Sequence, residues 1–288
     1  MSGWKLGIIG GSGLYALDAL ENPEWVTVAS PWGEPSDAVL TGSLAGVDLA
    51  FLPRHGRGHR VPPHRLNARA NIDVLKRLGC TDVLAVSAVG SLRQDLAPGH
   101  FVAVDQFIDR TKGRPSTFFE AGMVAHVPMA DPVCARLTGF ATTAARAAGA
   151  IIHTGATYLA MEGPQFSTRA ESRLYQGWGC DVIGMTAMPE AKLAREAELP
   201  YALLAMVTDY DCWHDGGDVD VAEIIRVMHA NAAVARDTVT ALVRALPATR
   251  PASPIDTVLD TALITAPDAR DPGLLGRLDA IMARVRGG

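Results

Sequence analysis

The chain is predicted to fold as an α/β protein, with a mixed central β-sheet flanked by helices on both faces. Three observations predict it. Apolar runs of strand length alternate along most of the chain with longer segments whose apolar residues recur at helical spacing. The run Leu199-Pro200-Tyr201-Ala202-Leu203-Leu204-Ala205-Met206-Val207 has no polar face, as a strand covered on both sides requires. Of 288 residues, 48% are apolar and 20% charged, enough to bury a large core beneath a polar surface.

Residues 4–10 read as a strand entering a glycine-rich turn, and 48–52 as a second strand after the polar turn Ala45-Gly46-Val47. Residues 64–78 predict a helix, because Leu66, Ala70, Val74, Leu75 and Leu78 fall near one face and Gly79 stops it. Residues 82–88 form the most apolar early strand, and 101–104 with 107–108 make a further extended stretch. Asp131 as N-cap and Pro132 in the first turn start a helix running to residue 148. Residues 151–160 are β-like. A helix begins at Ser167, with Glu171 in its first turns, and ends near Gly177. Residues 181–185 make a brief strand, 189–198 a helix and 221–246 a long helix. Pro247, Pro251 and Pro254 then change the character of the chain. The expected organisation is one domain over 1–246 and a Pro-punctuated tail over 247–288. The tail carries a helix over 272–285, with Leu274, Leu278, Ile281 and Val285 at helical spacing, and packs on the same domain or a neighbouring subunit.

The net charge of -5 is modest and no Lys/Arg block occurs, so neither nucleic acid nor an anionic membrane is expected as a partner. The 6% aromatic content offers no stacking platform for single strands. No apolar run reaches the span of a bilayer, and the N-terminus enters a strand without a signal-peptide core. Cys80, Cys134, Cys180 and Cys212 are scattered without a C-x-x-C, which predicts reduced thiols, no metal and a cytoplasmic setting.

Chemistry concentrates at strand ends. Thr208-Asp209-Tyr210-Asp211-Cys212-Trp213-His214 places two carboxylates just past the predicted strand 199–207, the edge where open α/β sheets bind ligands. Ile8-Ile9-Gly10-Gly11-Ser12-Gly13-Leu14 offers backbone N–H groups and one hydroxyl to an anion. Gly11-Ser12-Gly13-Leu14-Tyr15-Ala16 also fits the dinucleotide fingerprint. The acidic residue that fingerprint needs is missing, since its region holds the loop Pro31-Trp32-Gly33-Glu34-Pro35. A dinucleotide-binding protein is therefore the alternative of another class. Leu52-Pro53-Arg54-His55-Gly56-Arg57-Gly58-His59-Arg60 is a dense cationic loop suited to an oxyanion, although some of its cations must be solvated or paired with acids. Ala85-Val86-Ser87-Ala88-Val89-Gly90-Ser91 and Gly184-Met185-Thr186-Ala187-Met188-Pro189-Glu190 each bring a hydroxyl to a strand end, the second just before a helix. An anion site facing an acid site suits phosphorolysis of an N-glycosidic bond, in which phosphate attacks a sugar and a carboxylic acid protonates the departing base.

These segments, with Asn67-Ala68-Arg69-Ala70-Asn71, Ser91-Leu92-Arg93, the stretch Asp105-Gln106-Phe107-Ile108-Asp109-Arg110-Thr111 and the stretch Glu162-Gly163-Pro164-Gln165-Phe166-Ser167-Thr168-Arg169-Ala170-Glu171-Ser172, recur in one order. The chain resembles the purine nucleoside phosphorylase superfamily, and within it the methylthioadenosine phosphorylases, over about residues 5–246. The resemblance implies a homotrimer that converts 5'-methylthioadenosine and inorganic phosphate, a co-substrate, into adenine and 5-methylthioribose 1-phosphate, without a cofactor. It implies that Ser12, Arg54, His55, Ser87, Ala88 and Thr186 hold phosphate. Met185 would lie against the ribose, Phe166 and Ser167 beside the base, and Tyr210 in the binding segment between two aspartates. Asp209 would be the acid at purine N7 and Asp211 would set the polar edge of the base. His126 would reach in from a neighbouring subunit. Val219, Val221 and Ile224 would give the 5' substituent an apolar wall. An aspartic acid that donates to N7 and accepts from a 6-amino group favours adenine. A methylthioinosine or broad purine nucleoside phosphorylase is the nearer alternative.

Overall fold

The apolar runs become the inner strands of one mixed sheet. The structure is a computed structural model. It describes residues 3–11, 14, 17, 19–214 and 221–286. The strands are β1 (Lys5–Gly10), β2 (Glu21–Val26), β3 (Val39–Leu44), β4 (Val47–Pro53), β5 (Asp82–Ser91), β6 (Phe101–Asp109), β7 (Ile152–Ala160), β8 (Val182–Gly184) and β9 (Tyr201–Tyr210). Their order across the sheet is β2-β3-β4-β1-β5-β8-β7-β6-β9, and β5 also pairs with β9. The last five strands therefore close into a ring, β5-β8-β7-β6-β9, with β1, β4, β3 and β2 extending from β5. Strands β1, β4, β5 and β9 run parallel to their partners through the centre, whereas β3, β8 and β6 supply antiparallel neighbours.

Each inner strand sends alternate side chains to two apolar layers, as a strand covered on both faces must. From β9, Tyr201, Leu203, Ala205 and Val207 face one layer, and Ala202, Leu204 and Met206 the other. The first layer is filled by α1 (Ala68–Arg77) and α4 (Ala187–Glu196). The second is filled by α2 (Ala135–Ala147) and α5 (Val221–Ala245). The helix α3 (Arg169–Gly177) covers a smaller cluster of Leu92, Leu159, Tyr175, Cys180 and Ile183. No helix among the described residues is long and apolar enough to cross a membrane. The four cysteines are free.

Several boundaries differ from the sequence reading. The strand 199–207 continues as β9 to Tyr210, so Asp209 lies inside the strand and only Asp211 follows it. The helix expected from Asp131 starts at Ala135, because the Asp131 carbonyl accepts from Arg195 and is drawn out of a helical turn. The helix expected from residue 64 starts at Ala68. Asn67 caps it, accepting from the Ala70 N–H at 3.1 Å, after a separate 3₁₀ turn over Pro63–Arg65. Thr168, rather than Ser167, caps α3 in a reciprocal box with Glu171. The strands β2 and β3 were not foreseen. Residues 272–285 do not form one helix but α6 (Pro272–Arg277) and α7 (Ala283–Arg286).

The segment after residue 246 joins the same interior. Leu259, Leu274, Leu278, Ile281 and Met282 are buried with the α1–α4 layer. One of its electrostatic ties is Asp82, at the start of β5 and fully buried, which accepts from Arg136 and Arg250. Arg250 also grips Asp256 with two bonds of 2.9 and 2.7 Å. Replacing Arg250 by Ala strips a buried carboxylate of one partner and should cost about 3 kcal/mol. Urea unfolding should show this as a lower midpoint at unchanged slope. Arg244→Ala, at an exposed position, should stay within about 0.5 kcal/mol of the parent.

Candidate active site

The site is assembled along the second half of β5. Arg54 follows β4 directly, and its guanidinium turns inward between β1, β5 and α4. It is 2% exposed. Its Nε and Nη2 bond the Glu190 carboxylate at 2.9 and 3.0 Å, Nη1 donates to the Val86 carbonyl at 2.8 Å, and Nη2 also reaches the Ile9 carbonyl at 3.3 Å. The Tyr201 hydroxyl donates to the same carboxylate at 2.8 Å. One residue further along β5, the Ser87 hydroxyl lies 3.1 Å from the Thr186 hydroxyl, both buried. Thr186 does not spend its side chain on capping α4, and the Met188 backbone is extended, so the regular helix begins after it. Behind this pair stands the buried hydroxyl of Tyr158, which accepts from the Thr186 N–H at 3.4 Å. Tyr158 passes directly over Gly184, where any side chain would run into its ring.

Three residues further on, about 10 Å along the strand, Gly90 pairs with Asp209 across a bulge at Thr208. The Asp209 carboxylate leans over Gly90. The Thr208 hydroxyl donates to it at 2.7 Å. Burial is the main cause that pushes the Asp209 carboxyl up to about 6; Thr208 opposes the shift and the nearby Asp211 adds to it. Asp211 has a different setting. One of its oxygens accepts from the Ser167 and Ser172 hydroxyls, each at 2.7 Å, and its N–H donates to the Ser91 carbonyl at 3.0 Å.

The cationic loop divides in two. Arg57 bonds Asp37 through its backbone and side chain, and Arg60 lies 3.7 Å from the same carboxylate. Bonds from Arg57 and the Ala38 N–H outweigh burial and hold Asp37 at about 2. His55 faces the other way. Its Nδ1 lies 2.9 Å from the Val61 carbonyl and so carries the ring hydrogen, and its ring stacks on His59 at 4.2 Å. Burial, assisted by Arg54 and His59 and opposed by the Val61 bond, lowers its pKa to about 4.

Of the residues singled out from sequence, Arg54, Ser87, Ala88, Thr186 and Asp209 come together on or beside β5. Met185 adjoins them, and its carbonyl accepts from Arg114 at 2.7 Å. Ser167 is turned onto Asp211, and Phe166 is half exposed beside it. The Tyr210 hydroxyl donates away from Asp209, to the Gln94 carbonyl at 3.0 Å. Val221 is exposed and Ile224 partly buried on the first turn of α5. His126 is exposed, held by its N–H to the Ala262 carbonyl at 2.9 Å. Ser12 and Val219 lie outside the described residues. Glu190, Tyr158, Tyr201 and Arg114 were missed. Only Glu190 gave a signal, an acid between Pro189 and Ala191 at the start of a predicted helix.

The sequence pattern of the phosphorylase superfamily matches residues 5–244. The chain belongs to that superfamily. It is 58% identical over 283 residues to the S-methyl-5'-thioadenosine phosphorylase of Cereibacter sphaeroides, covering 97% of this chain and 98% of the relative. It is 56% identical over 283 residues to that of Bradyrhizobium diazoefficiens, covering 97% of each. Among solved structures, a methylthioadenosine phosphorylase from an antarctic soil metagenomic library aligns with a TM-score of 0.93 at 46% identity, over 98% of this chain and 99% of that one. The Schistosoma mansoni methylthioadenosine phosphorylase in complex with adenine aligns with a TM-score of 0.79 at 38% identity, over 84% and 91%.

The Asp209 environment makes a testable statement about stability. Its folded pKa, about 6, lies above its ordinary value of 3.8, so the folded state binds the proton more tightly. Stability from this group is complete below the unfolded value and is lost as pH rises through about 6. Asp209→Asn should therefore raise unfolding stability by about 1–2 kcal/mol at pH 8 and leave it nearly unchanged at pH 4. Chemical denaturation at the two pH values checks the difference.

Proposed function

We propose that the chain catalyses phosphorolysis of S-methyl-5'-thioadenosine, giving adenine and 5-methylthioribose 1-phosphate. The observation that carries this reading is the spacing on β5. A hydroxyl pair beside a buried arginine stands about 10 Å from a carboxyl poised to titrate near neutrality, the separation of phosphate and base across a ribose. The names of the relatives, at 56–58% identity over nearly the whole chain, support the same substrate.

Phosphate is held by Ser12, Arg54, His55, Ser87, Thr186 and the backbone at Ala88. One of its oxygens forms the new bond to C1' as the C1'–N9 pair leaves with the purine. Asp209 gives its proton to N7, so the base departs neutral rather than as an anion. Its other oxygen accepts from the 6-amino group, which a 6-oxopurine lacks. Asp211 acts through Ser167, the side chain it holds, and Phe166 covers the base. Met185 lies against the sugar, with the Tyr210 backbone between the two aspartates. Val221 and Ile224 face the methylthio group, and His126 of one protomer closes the site of its neighbour in a homotrimer. Inorganic phosphate is a co-substrate and no cofactor takes part. We also place the domain limit at residue 246, with 247–288 as a tail integral to the fold, and the enzyme in the cytoplasm.

Incubation with phosphate and methylthioadenosine should release adenine, with no release when phosphate is omitted. Methylthioinosine should be at least about 100-fold poorer, because the Asp209 acceptor would face an acceptor. Adenosine should lose about 1–3 kcal/mol in kcat/KM, the worth of an apolar 5' wall. Asp209→Asn should cut kcat at least about 100-fold and remove the alkaline limb of kcat/KM that Asp209 sets. Hypoxanthine release from methylthioinosine at a rate equal to adenine release would overturn the adenine reading.

A further inference from the structure

The anion end of the site contains groups that sequence alone reads as a cluster of positive charge. The structure spends that charge elsewhere. Arg54 is closed against Glu190 by two parallel bonds of 2.9 and 3.0 Å, with the two side chains 2% and 4% exposed. Its remaining bonds go to the Val86 and Ile9 carbonyls. Four of its five N–H groups are thus occupied, leaving one on Nη1. Glu190 is fixed in turn by the Tyr201 hydroxyl at 2.8 Å. His55 gives its ring hydrogen to Val61 and keeps an unprotonated Nε2, while a second proton would set a charge beside Arg54. Arg57 is bonded to Asp37, and Arg60 lies 3.7 Å from the same carboxylate with its side chain 65% exposed, so the charge left over here is screened by water. The groups that converge without a charge are the Ser87 and Thr186 hydroxyls, 3.1 Å apart.

We infer that this end of the site holds phosphate through hydrogen-bond donors in a field close to neutral, and that Glu190 is the positioning residue that sets the field by cancelling Arg54. The inference rests on the reading of Arg54, His55, Ser87 and Thr186 as phosphate ligands. Its physical sense lies in the nucleophile. A net cation would stabilise bound phosphate before the reaction, and binding that is equal in ground and transition states adds nothing to kcat. A neutral cradle leaves the anion's charge free to meet the cation-like sugar, and lets the sugar phosphate depart.

Glu190→Gln keeps the shape of the side chain and exposes the Arg54 charge. Calorimetric titration with inorganic phosphate alone, without nucleoside, should show binding tightened about tenfold at low salt. The variant's Kd should then weaken steeply with KCl, while kcat with methylthioadenosine falls at least tenfold. If Glu190 only kept Arg54 in place, phosphate binding would weaken instead, which overturns the inference. The wild-type protein tests it without any variant. Its phosphate Kd should change less than about threefold between about 20 and about 300 mM KCl, and a tenfold weakening overturns the neutral field. Phosphate binding without adenine release would sink the proposed reaction and leave the calorimetric test standing. No phosphate binding at millimolar concentration would overturn both.

Discussion

A guanidinium removed from water must find partners for its donors and a counter-charge, and at Arg54 that requirement organises the molecule. The side chain leaves the end of β4, bonds carbonyls on the neighbouring strands β1 and β5, and meets the carboxylate of Glu190 at the start of α4. Tyr201, the first residue of β9, completes the set. Four strands and a helix thus converge on one buried charge. A buried pair of this kind adds little net stability over an apolar filling, but losing one partner is costly, so the pair penalises every arrangement that separates these elements. Thr186 sits four residues before Glu190, and its position against Ser87 follows from the same constraint.

The second organising element is β5 itself. It is the branch point at which an extended mixed sheet meets a closed ring. Its far end pairs with β9 through a bulge that leaves Thr208 opposite no residue of β5. Bulges re-aim side chains. Here the extra residue sends its hydroxyl to the Val89 carbonyl and to Asp209, and turns the Asp209 carboxylate over Gly90. The strand is held at this point from the opposite side, where the buried Asn231 of α5 donates to the Val207 carbonyl at 3.1 Å and the Val207 N–H donates to His100 at 2.9 Å. The carboxyl is therefore mounted on a strand braced on two sides rather than on a loop, which suits the proton donor proposed above.

What was legible in the sequence follows from which forces are local. The inner strands were visible because burial on both faces leaves an unbroken apolar run, as in 199–207. The strand β2 was not, since it lies at the sheet edge, is largely exposed and contains Pro23, Glu21 and Glu24. That composition is tolerated only at an edge. The helix start expected at Asp131 failed on an interaction 64 residues away in sequence, the hold of Arg195 on the Asp131 carbonyl. The candidate site was legible where motifs carry their own chemistry, in Arg54, Ser87, Thr186 and Asp209. Glu190, Tyr158, Tyr201 and Arg114 were not, because each acts through a partner brought near only by the fold. Arg54 and Glu190 are 136 positions apart.

The two aspartates show most clearly how position decides chemistry. They are two residues apart in sequence and chemically identical, yet their surroundings differ in kind. Asp211, after the strand, is buried and receives two serine hydroxyls on one oxygen, which tie it to Ser167 and to Ser172 on α3. Asp209, within the strand, has one threonine hydroxyl and sits over the bare backbone of Gly90, where loss of water favours the neutral form. The negative charge of Asp211 nearby adds to the upward push on Asp209. The result is one aspartate whose side chain is engaged by two serines and another whose carboxyl is pushed up to about 6. An isolated Asp-x-Asp motif could not distinguish these roles; the bulge and the two serines do.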